Sequence, residues 1–180
     1  MEFPMNSEHC ILETTRLRFR RLTMRDLDPL AAFYADPEVM RYVGAGLPRS
    51  REETRARLQE LIDAEARQGF GVWALLDRAD GTFLGRAGLA VWNIAGRREV
   101  EILYLLGRPY WGRGLATEAA AAIRDYGLNM LSEPRLISLI YPGNRASQRV
   151  AEKAGLRYER DVTFMEHVLN MFSIDEEQAG

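Results

Sequence analysis

The sequence contains a single cysteine, Cys10, so no intrachain disulfide can form. That usage fits a reducing compartment. No apolar run approaches the roughly 20 residues that a membrane-spanning helix needs. The first ten residues carry Glu2 and Glu8 and lack the apolar centre of a signal peptide. We therefore expect a cytoplasmic protein with no membrane segment.

The chain also lacks a charge bias, because its formal net charge is −2. Such a balance gives no general attraction to nucleic acid. Its 180 residues, 47% of them hydrophobic and 28% charged, suffice for one soluble enzyme-sized core. We find no internal repeat, low-complexity stretch or linker. The sequence predicts a loose leader over residues 1–11, one domain over 12–174, and an acidic tail over 175–180.

The most informative segment is WGRGLATEA, residues 111–119. It follows the apolar run 102–106, which predicts a buried strand, and enters the alanine-rich stretch 119–130, which predicts a helix. Small side chains let an anion approach the backbone, and the first helical N–H groups have no intrahelical partner. The segment predicts a phosphate or pyrophosphate site. A tight strand-to-helix turn without a ligand is the alternative.

The type of phosphate ligand is not fixed by this loop alone. A Walker loop needs Gly-Lys-Ser/Thr after four spacer residues, and the sequence has none here. Residues 112–117 nearly match a dinucleotide fingerprint, but the last position is Thr117. That fingerprint also needs an acidic ribose-binding residue in a βαβ context, which the sequence does not indicate.

A second motif, N-x-x-S-x-x-V-x-E-K-x-G, occupies residues 144–155, one predicted strand further on. The order of strand, W-G-x-G-x-A-T-E-A, helix, strand and this motif resembles the GNAT superfamily of acetyl-CoA-dependent N-acetyltransferases. It is most similar to the RimJ/RimL-type branch, whose members acetylate protein N-termini or small amines. Segments 12–20 and 36–42 also resemble that branch, and the similarity spans roughly residues 12–174.

The resemblance implies an α/β (α+β) fold, a mixed, mostly antiparallel seven-stranded sheet flanked by helices on both faces. Acetyl-CoA would enter between the fourth and fifth strands. The strands that we predict are residues 16–20, 70–76, 82–92, 98–106, 136–140, 157–165 and 168–174. Independently of the family, a capping box at Ser50 and Glu53 predicts a helix to about Arg67 that Gly69 ends.

The implied reaction is direct attack of an amine on the thioester, since no nucleophile with a paired base is visible. Glu101 is the candidate base, and its alternative role is a strand-surface carboxylate paired with an arginine. Glu99 on the same strand face ranks second. Ser147 is the candidate contact to the thioester sulfur or proton donor to the thiolate; alternatively its hydroxyl only satisfies the helix start. The tyrosine that other members carry in this helix is absent from residues 150–152.

The resemblance also implies a coenzyme site with the pyrophosphate on residues 113–117 and oxyanion donors around residues 103–106. Asn144 would cap its helix and contact the coenzyme arm, or cap alone. Trp111 stands where many members have Gln or Arg, and Arg113 either adds charge or is merely solvated. No metal is expected. The full predicted coenzyme set is Leu103, Tyr104, Leu105, Trp111, Gly112, Arg113, Gly114, Leu115, Ala116, Thr117, Asn144 and Ser147.

The acceptor stays open among a peptide N-terminus, an aminoglycoside, a polyamine and an amino acid. Glu166 and His167, at a predicted hairpin turn, either touch that amine or face solvent. Tyr42, Trp73 and Trp92 line the acceptor pocket or belong to the core. Two other classes remain: a non-catalytic acyl-CoA-binding or sensor module, and a nucleotide-dependent protein that uses the glycine loop. We expect a monomer or homodimer.

Overall fold

A computed structural model describes residues 10–175 of the chain. Eight strands are present in this range: β1 (Cys10–Glu13), β2 (Leu17–Arg21), β3 (Val72–Asp77), β4 (Phe83–Ile94), β5 (Arg97–Leu106), β6 (Arg135–Ile140), β7 (Arg157–Phe164) and β8 (His167–Asp175). The α-helices are α1 (Leu27–Tyr34), α2 (Pro37–Met40), α3 (Arg51–Gln68), α4 (Leu115–Asp125) and α5 (Arg145–Lys153). Short 3₁₀ turns cover Met24–Asp26 and Arg108–Tyr110, and a π-helical turn covers Tyr126–Met130.

The chain divides into two compact units, and strands β4 and β5 contribute to both. The first unit comprises the described residues up to Ala87 together with Leu105–Leu115. The second unit comprises Gly88–Tyr104 and the described residues from Ala116 onward. Most of the predicted leader, residues 1–9, and the predicted tail after residue 175 lie outside the described residues.

The strands of the first unit follow the predicted alternation of buried and exposed side chains. β2 pairs antiparallel with β3, with Leu17 opposite Asp77. Leu17 and Phe19 are fully buried, whereas Arg18 between them is exposed. Successive side chains of a strand point to opposite faces, so one face of β2 packs into the core and the other carries arginines.

The predicted count of seven strands is corrected, because the sheet formed by residues 10–175 has eight strands in the order β1-β2-β3-β4-β5-β6-β8-β7. The additional strand is β1, which pairs antiparallel with β2 through Leu12 and Phe19. β1 includes Cys10, assigned to the leader from the sequence. A four-residue strand with a register shift after Cys10 has too little alternation to be recognised, and its pairing with β2 defines it.

The second unit contains the parallel pair that makes the sheet mixed. β5 pairs parallel with β6 at Glu101 and Ile137. β6 then pairs antiparallel with β8, and β8 with β7. The β7–β8 hairpin turns at Met165 and Glu166, which have φ angles of 48° and 64°. Two positive φ angles are typical of the mirror-image turns that match strand twist. The predicted mixed, mostly antiparallel sheet flanked by helices is therefore confirmed.

Local side-chain caps set the helix boundaries as the sequence predicts. Ser50 Oγ accepts the Glu53 N–H at 3.2 Å, and Glu53 Oε2 accepts the Ser50 N–H at 2.7 Å. This reciprocal box begins α3 by satisfying two otherwise unpaired donors. Gly69 ends the helix in the left-handed conformation, with φ 78°. Because an L side chain is strained there, glycine is the natural residue at this position.

Candidate active site

The glycine loop lies in the first unit, between the end of β5 and the start of α4. After Leu106 the chain makes the 3₁₀ turn Arg108–Tyr110. Gly112 and Gly114 then take φ angles of 71° and 74°. Leu115 begins α4 with its side chain 2% exposed. A buried leucine therefore anchors the helix start while the two glycines carry the chain through left-handed backbone.

Trp111 has a structural contact that the sequence did not indicate. Its indole Nε1 donates to the Leu106 carbonyl at 2.8 Å, so it caps the last residue of β5. The ring stays 47% exposed. The indole N–H is its single donor. With that donor satisfied by Leu106, Trp111 has an apolar face but no further N–H for a phosphate.

Arg16 holds the glycine loop from the segment that precedes β2, 97 residues away in sequence. Its Nη1 donates to the Arg113 carbonyl at 2.8 Å. No cis peptide occurs among the described residues. In a trans peptide the C=O and the following N–H point in opposite directions. Arg16 therefore orients the Gly114 N–H away from itself. No local sequence signal reveals this contact, since it depends on how this segment meets the loop.

The candidate base, Glu101, is held by two donors in the second unit. Its Oε2 accepts the Trp92 indole N–H at 2.6 Å. Its Oε1 accepts the Leu139 backbone N–H of β6 at 3.2 Å. Trp92 is half-buried and stacks edge-on with Phe164 at 5.1 Å between ring centroids. Hydrogen bonds to both oxygens fix the carboxylate. Trp92, which the sequence assigns either to the acceptor pocket or to the core, is thus a hydrogen-bond partner of Glu101.

Glu99, the second-ranked candidate, has a different environment. It is 2% exposed, and its Oε2 accepts from Arg135 Nε at 3.2 Å. Its Oε1 lies 3.4 Å from Arg97 Nε and is the one buried side-chain atom without a hydrogen bond within residues 10–175. Two guanidinium groups, that of half-buried Arg135 and that of exposed Arg97, therefore engage the buried Glu99 carboxylate. Glu101 differs from it in accepting hydrogen bonds from two neutral N–H groups, those of Trp92 and Leu139.

Tyr104 and Ser147 form a hydrogen-bonded pair within the second unit. The Tyr104 hydroxyl lies 2.8 Å from Ser147 Oγ and 3.1 Å from the Ser147 carbonyl oxygen. Burial raises the pKa of Tyr104 from 10.0 to about 12, against the opposing effect of the Ser147 hydrogen bond, while the charge of Glu101 adds to the increase. The tyrosine therefore stays protonated at neutral pH. Sequence reasoning placed Tyr104 among coenzyme contacts but missed its hydroxyl as a partner of Ser147.

Asn144 has the capping role that the sequence predicts. Its Oδ1 accepts the Ser147 N–H at 3.1 Å, at the start of α5. This bond fixes the first turn of the helix, and with it the Ser147 side chain that meets Tyr104. The structure thus brings Asn144, Ser147 and Tyr104 together. Whether Asn144 also contacts a coenzyme stays a prediction.

The remaining predicted coenzyme residues lie in three places: on β5, at the start of α4 and in the loop at Arg113. Leu103 and Tyr104 follow Glu101, the position of β5 that pairs with β6. Ala116 and Thr117 continue the first turn of α4 and belong to the second unit. Arg113 is exposed, and its carbonyl rather than its side chain is the group held by Arg16. The role of each in binding a coenzyme stays a prediction.

The other candidates are placed as follows. His167 packs edge-on against Tyr141, with ring centroids 5.3 Å apart. Trp73 is 1% exposed and donates to Glu65, so it belongs to the core of the first unit. Within residues 10–175 no cluster of three or more His, Cys, Asp or Glu could hold a metal ion. In the same range no helix is long and apolar enough to cross a membrane.

The family model of the acetyltransferase (GNAT) domain matches residues 16–157. The chain belongs to the GNAT acetyltransferase family. It is 38% identical over 152 residues to protein YkkB of Bacillus subtilis (strain 168), with 84% of this chain and 87% of YkkB covered. The family membership predicted from the two motifs is confirmed, and the chain is an acyltransferase.

Solved structures agree with this assignment. An acetyltransferase from Agrobacterium tumefaciens str. C58 superimposes with a TM-score of 0.78 at 27% identity, over 97% of this chain and 98% of that protein. RimL, a ribosomal L7/L12 alpha-N-protein acetyltransferase in complex with coenzyme A, gives a TM-score of 0.75 at 19% identity, over 93% of this chain and 98% of RimL. The likeness to RimL is one of fold, which confirms the predicted fold class.

Proposed function

We propose that this acyltransferase moves an acetyl group directly from acetyl-CoA to a primary amine. The observation that carries the proposal is the pair of polar groups on β5 of the second unit. Glu101 presents a fixed carboxylate, and Tyr104 presents a hydroxyl bonded to Ser147. Amine acylation needs a proton acceptor for the nucleophile, and a hydrogen-bond donor assists departure of the sulfur.

Glu101 is the proposed proton acceptor. An aliphatic amine is mostly protonated at neutral pH, so it must lose a proton before its nitrogen attacks the thioester carbon. The proton passes to Glu101, directly or through a water molecule. The Trp92 and Leu139 N–H groups hold the carboxylate in one orientation. A fixed acceptor needs no reorganisation when the amine arrives, which is the advantage of preorganised groups.

Ser147 is the proposed donor toward the sulfur. When the C–S bond breaks, the electron pair stays on sulfur as a thiolate, whose pKa is ~8.5 by analogy with cysteine. A hydroxyl has one donor hydrogen and two acceptor lone pairs. The Tyr104 hydroxyl has one hydrogen, which it can give either to the Ser147 carbonyl at 3.1 Å or to Ser147 Oγ at 2.8 Å. In the second arrangement, which we propose, the serine hydrogen is directed elsewhere and can reach the sulfur. Ser147 thereby acts at the sulfur, where other family members use the tyrosine that α5 lacks, and Tyr104 positions the serine hydroxyl.

The glycine loop is the proposed pyrophosphate site of acetyl-CoA. Gly112 and Gly114 leave the loop without side chains at two of its positions, where the backbone has positive φ angles. Arg16 fixes the peptide between Arg113 and Gly114, so the Gly114 N–H is oriented before a ligand binds. Backbone N–H groups at a helix start stabilise negative charge. RimL, which shares this fold, is known in complex with coenzyme A.

The acceptor amine is proposed only by class, as a protein N-terminus or a small-molecule primary amine. RimL, which shares this fold, is named as an alpha-N-protein acetyltransferase, and this supports including a protein N-terminus among the candidate acceptors. The test is release of free CoA thiol from acetyl-CoA with a panel of amines: N-terminal peptides, aminoglycosides, polyamines and amino acids. We expect one class to accelerate thiol release well above the rate with acetyl-CoA alone.

The rival function is a module that binds acyl-CoA without transferring the acyl group. Thermal unfolding with CoA, ATP or NAD identifies the true ligand, because only a ligand of the folded protein raises its melting temperature. Stabilisation by CoA together with amine-dependent thiol release supports the enzyme. Stabilisation by CoA with no turnover on any amine class, and identical behaviour of Glu101→Gln, would favour the binding module.

A further inference from the structure

The first unit contains a cleft of about 480 Å³ beside the glycine loop. Three arginines line it: Arg16 before β2, Arg78 after β3, and Arg113 in the loop itself. We call it the cationic cleft, defined by these three residues and Asp77. Thr15, Ala79 and Leu115 complete its walls. The proposed proton transfers at Glu101 and Ser147 do not involve this cleft.

The local charge balance of the cleft is positive. Among the described residues that line it, the one carboxylate is Asp77, which already accepts the Ala79 N–H through Oδ1 at 2.8 Å. A neighbouring carboxylate, Glu13, is shared between Arg18 Nε at 2.7 Å and Arg78 Nε at 3.6 Å. Within residues 10–175, arginines therefore outnumber carboxylates around the cleft. Several guanidinium groups on one concave surface attract an anion with several oxygen atoms.

The cleft is continuous with the proposed pyrophosphate site. Arg113 and Leu115 belong both to the glycine loop and to the cleft wall. Arg16 lines the cleft and also donates to the loop carbonyl at Arg113. In addition, Arg16 Nη2 lies 3.5 Å from the position that a Cβ on Gly114 would occupy. A ligand held on the loop is therefore next to the guanidinium groups of the cleft.

Coenzyme A supplies a matching second anion. Its ribose carries the pyrophosphate on the 5′ oxygen and a phosphate monoester on the 3′ oxygen. A phosphate monoester has a charge of about −1.5 to −2 near neutral pH and three acceptor oxygens. The planar guanidinium group binds such oxygens in pairs, which a lysine ammonium does not. Charge, number of donors and position relative to the loop therefore agree with a 3′-phosphate.

We propose that the cationic cleft binds the 3′-phosphate of coenzyme A. The inference rests on the proposed function, since it needs the pyrophosphate on the glycine loop. Arg78 and Arg113 contribute charge and hydrogen bonds to the phosphate, and Arg16 contributes while also orienting the loop. The cleft thus makes the enzyme selective for coenzyme A over its 3′-dephospho form.

The experiment is calorimetric titration of the protein with CoA and with 3′-dephospho-CoA. We expect the dephospho form to bind about tenfold more weakly, which equals 1.4 kcal/mol. Arg78→Ala and Arg113→Ala should each reduce this ratio, and the double variant should bring it close to one. Arg55→Ala is the matched control, because Arg55 is an exposed arginine of α3 outside the cleft. It should keep the wild-type ratio.

The outcomes distinguish a failure of the cleft assignment from a failure of the proposed function. If neither coenzyme form binds the wild-type protein, the proposed function fails. Equal binding of both forms to the wild type, or an unchanged ratio in the double variant, would overturn the cleft assignment and leave the coenzyme site intact. Thermal unfolding with inorganic phosphate alone tests whether the cleft binds free phosphate instead of the coenzyme phosphate. Stabilisation by inorganic phosphate that the double variant loses, with equal binding of the two coenzyme forms, would assign the cleft to free phosphate instead.

Discussion

Replacing Tyr104 with phenylalanine removes one oxygen atom and keeps the ring that packs in the second unit. The lost contacts are the 2.8 Å hydrogen bond with Ser147 Oγ and the 3.1 Å contact with the Ser147 carbonyl. A neutral hydrogen bond contributes about 0.5 to 1.5 kcal/mol net. If the Oγ bond operates in the transition state, Tyr104→Phe should lower kcat roughly 2- to 13-fold.

The assay is acetyl-CoA turnover with the best acceptor, combined with a double-mutant cycle on Ser147→Ala. Two residues that act through one contact give non-additive effects. We therefore expect Tyr104→Phe to change kcat little once Ser147 is already replaced by alanine. Tyr158→Phe is the matched control, because it removes a surface hydroxyl bonded to Asp161 at 3.1 Å. It should leave kcat unchanged.

The pH dependence gives a second measurement on the same residue. Burial raises the pKa of Tyr104 from 10.0 to about 12, so the folded state favours the neutral hydroxyl. Stability from this preference is fully present below pH 10 and is lost as pH rises through about 12. Tyr104→Phe should remove that alkaline loss of stability. Equal kcat losses with and without the Ser147→Ala change would refute the reasoning, as would a kcat unaffected by Tyr104→Phe.

Three further changes test other parts of the site. Glu101→Gln should lower turnover and also the melting temperature, because the glutamine amide can accept only one of the two N–H groups that now meet the carboxylate. Trp92→Phe removes one of those two donors. The double variant should therefore lose less stability than the sum of the losses in the two single variants. Gly114→Ala and Gly112→Ala each place a side chain on left-handed backbone, which costs a similar ~1–2 kcal/mol of stability. We therefore expect equal melting temperatures for the two variants. Calorimetry then reports whether coenzyme affinity falls in both. Asn144→Asp keeps an acceptor for the cap, so a near-normal melting temperature with weaker acetyl-CoA binding is expected; preserved affinity would limit Asn144 to capping.

Several features of the chain follow from local sequence. The capping box of Ser50 and Glu53, the glycine at position 69 and the Asn144 cap are correct because each depends on residues within one helical turn. The two motifs around residues 111–119 and 144–155 resemble those of the GNAT family, and the family model that matches residues 16–157 confirms the membership. Such motifs can be recognised without any knowledge of tertiary contacts.

The contacts that define the site depend on tertiary structure. Tyr104 meets Ser147 across 43 residues, and Arg16 meets Arg113 across 97. The edge strand β1 is likewise defined by its pairing with β2 and not by its own four residues. Glu99 and Glu101 have the same residue type and share a strand face, yet arginines engage one and neutral N–H donors the other. Sequence determined which groups are available, whereas the packing of strands and helices decided which of them meet, because hydrogen-bond partners are set by distance in space and not along the chain.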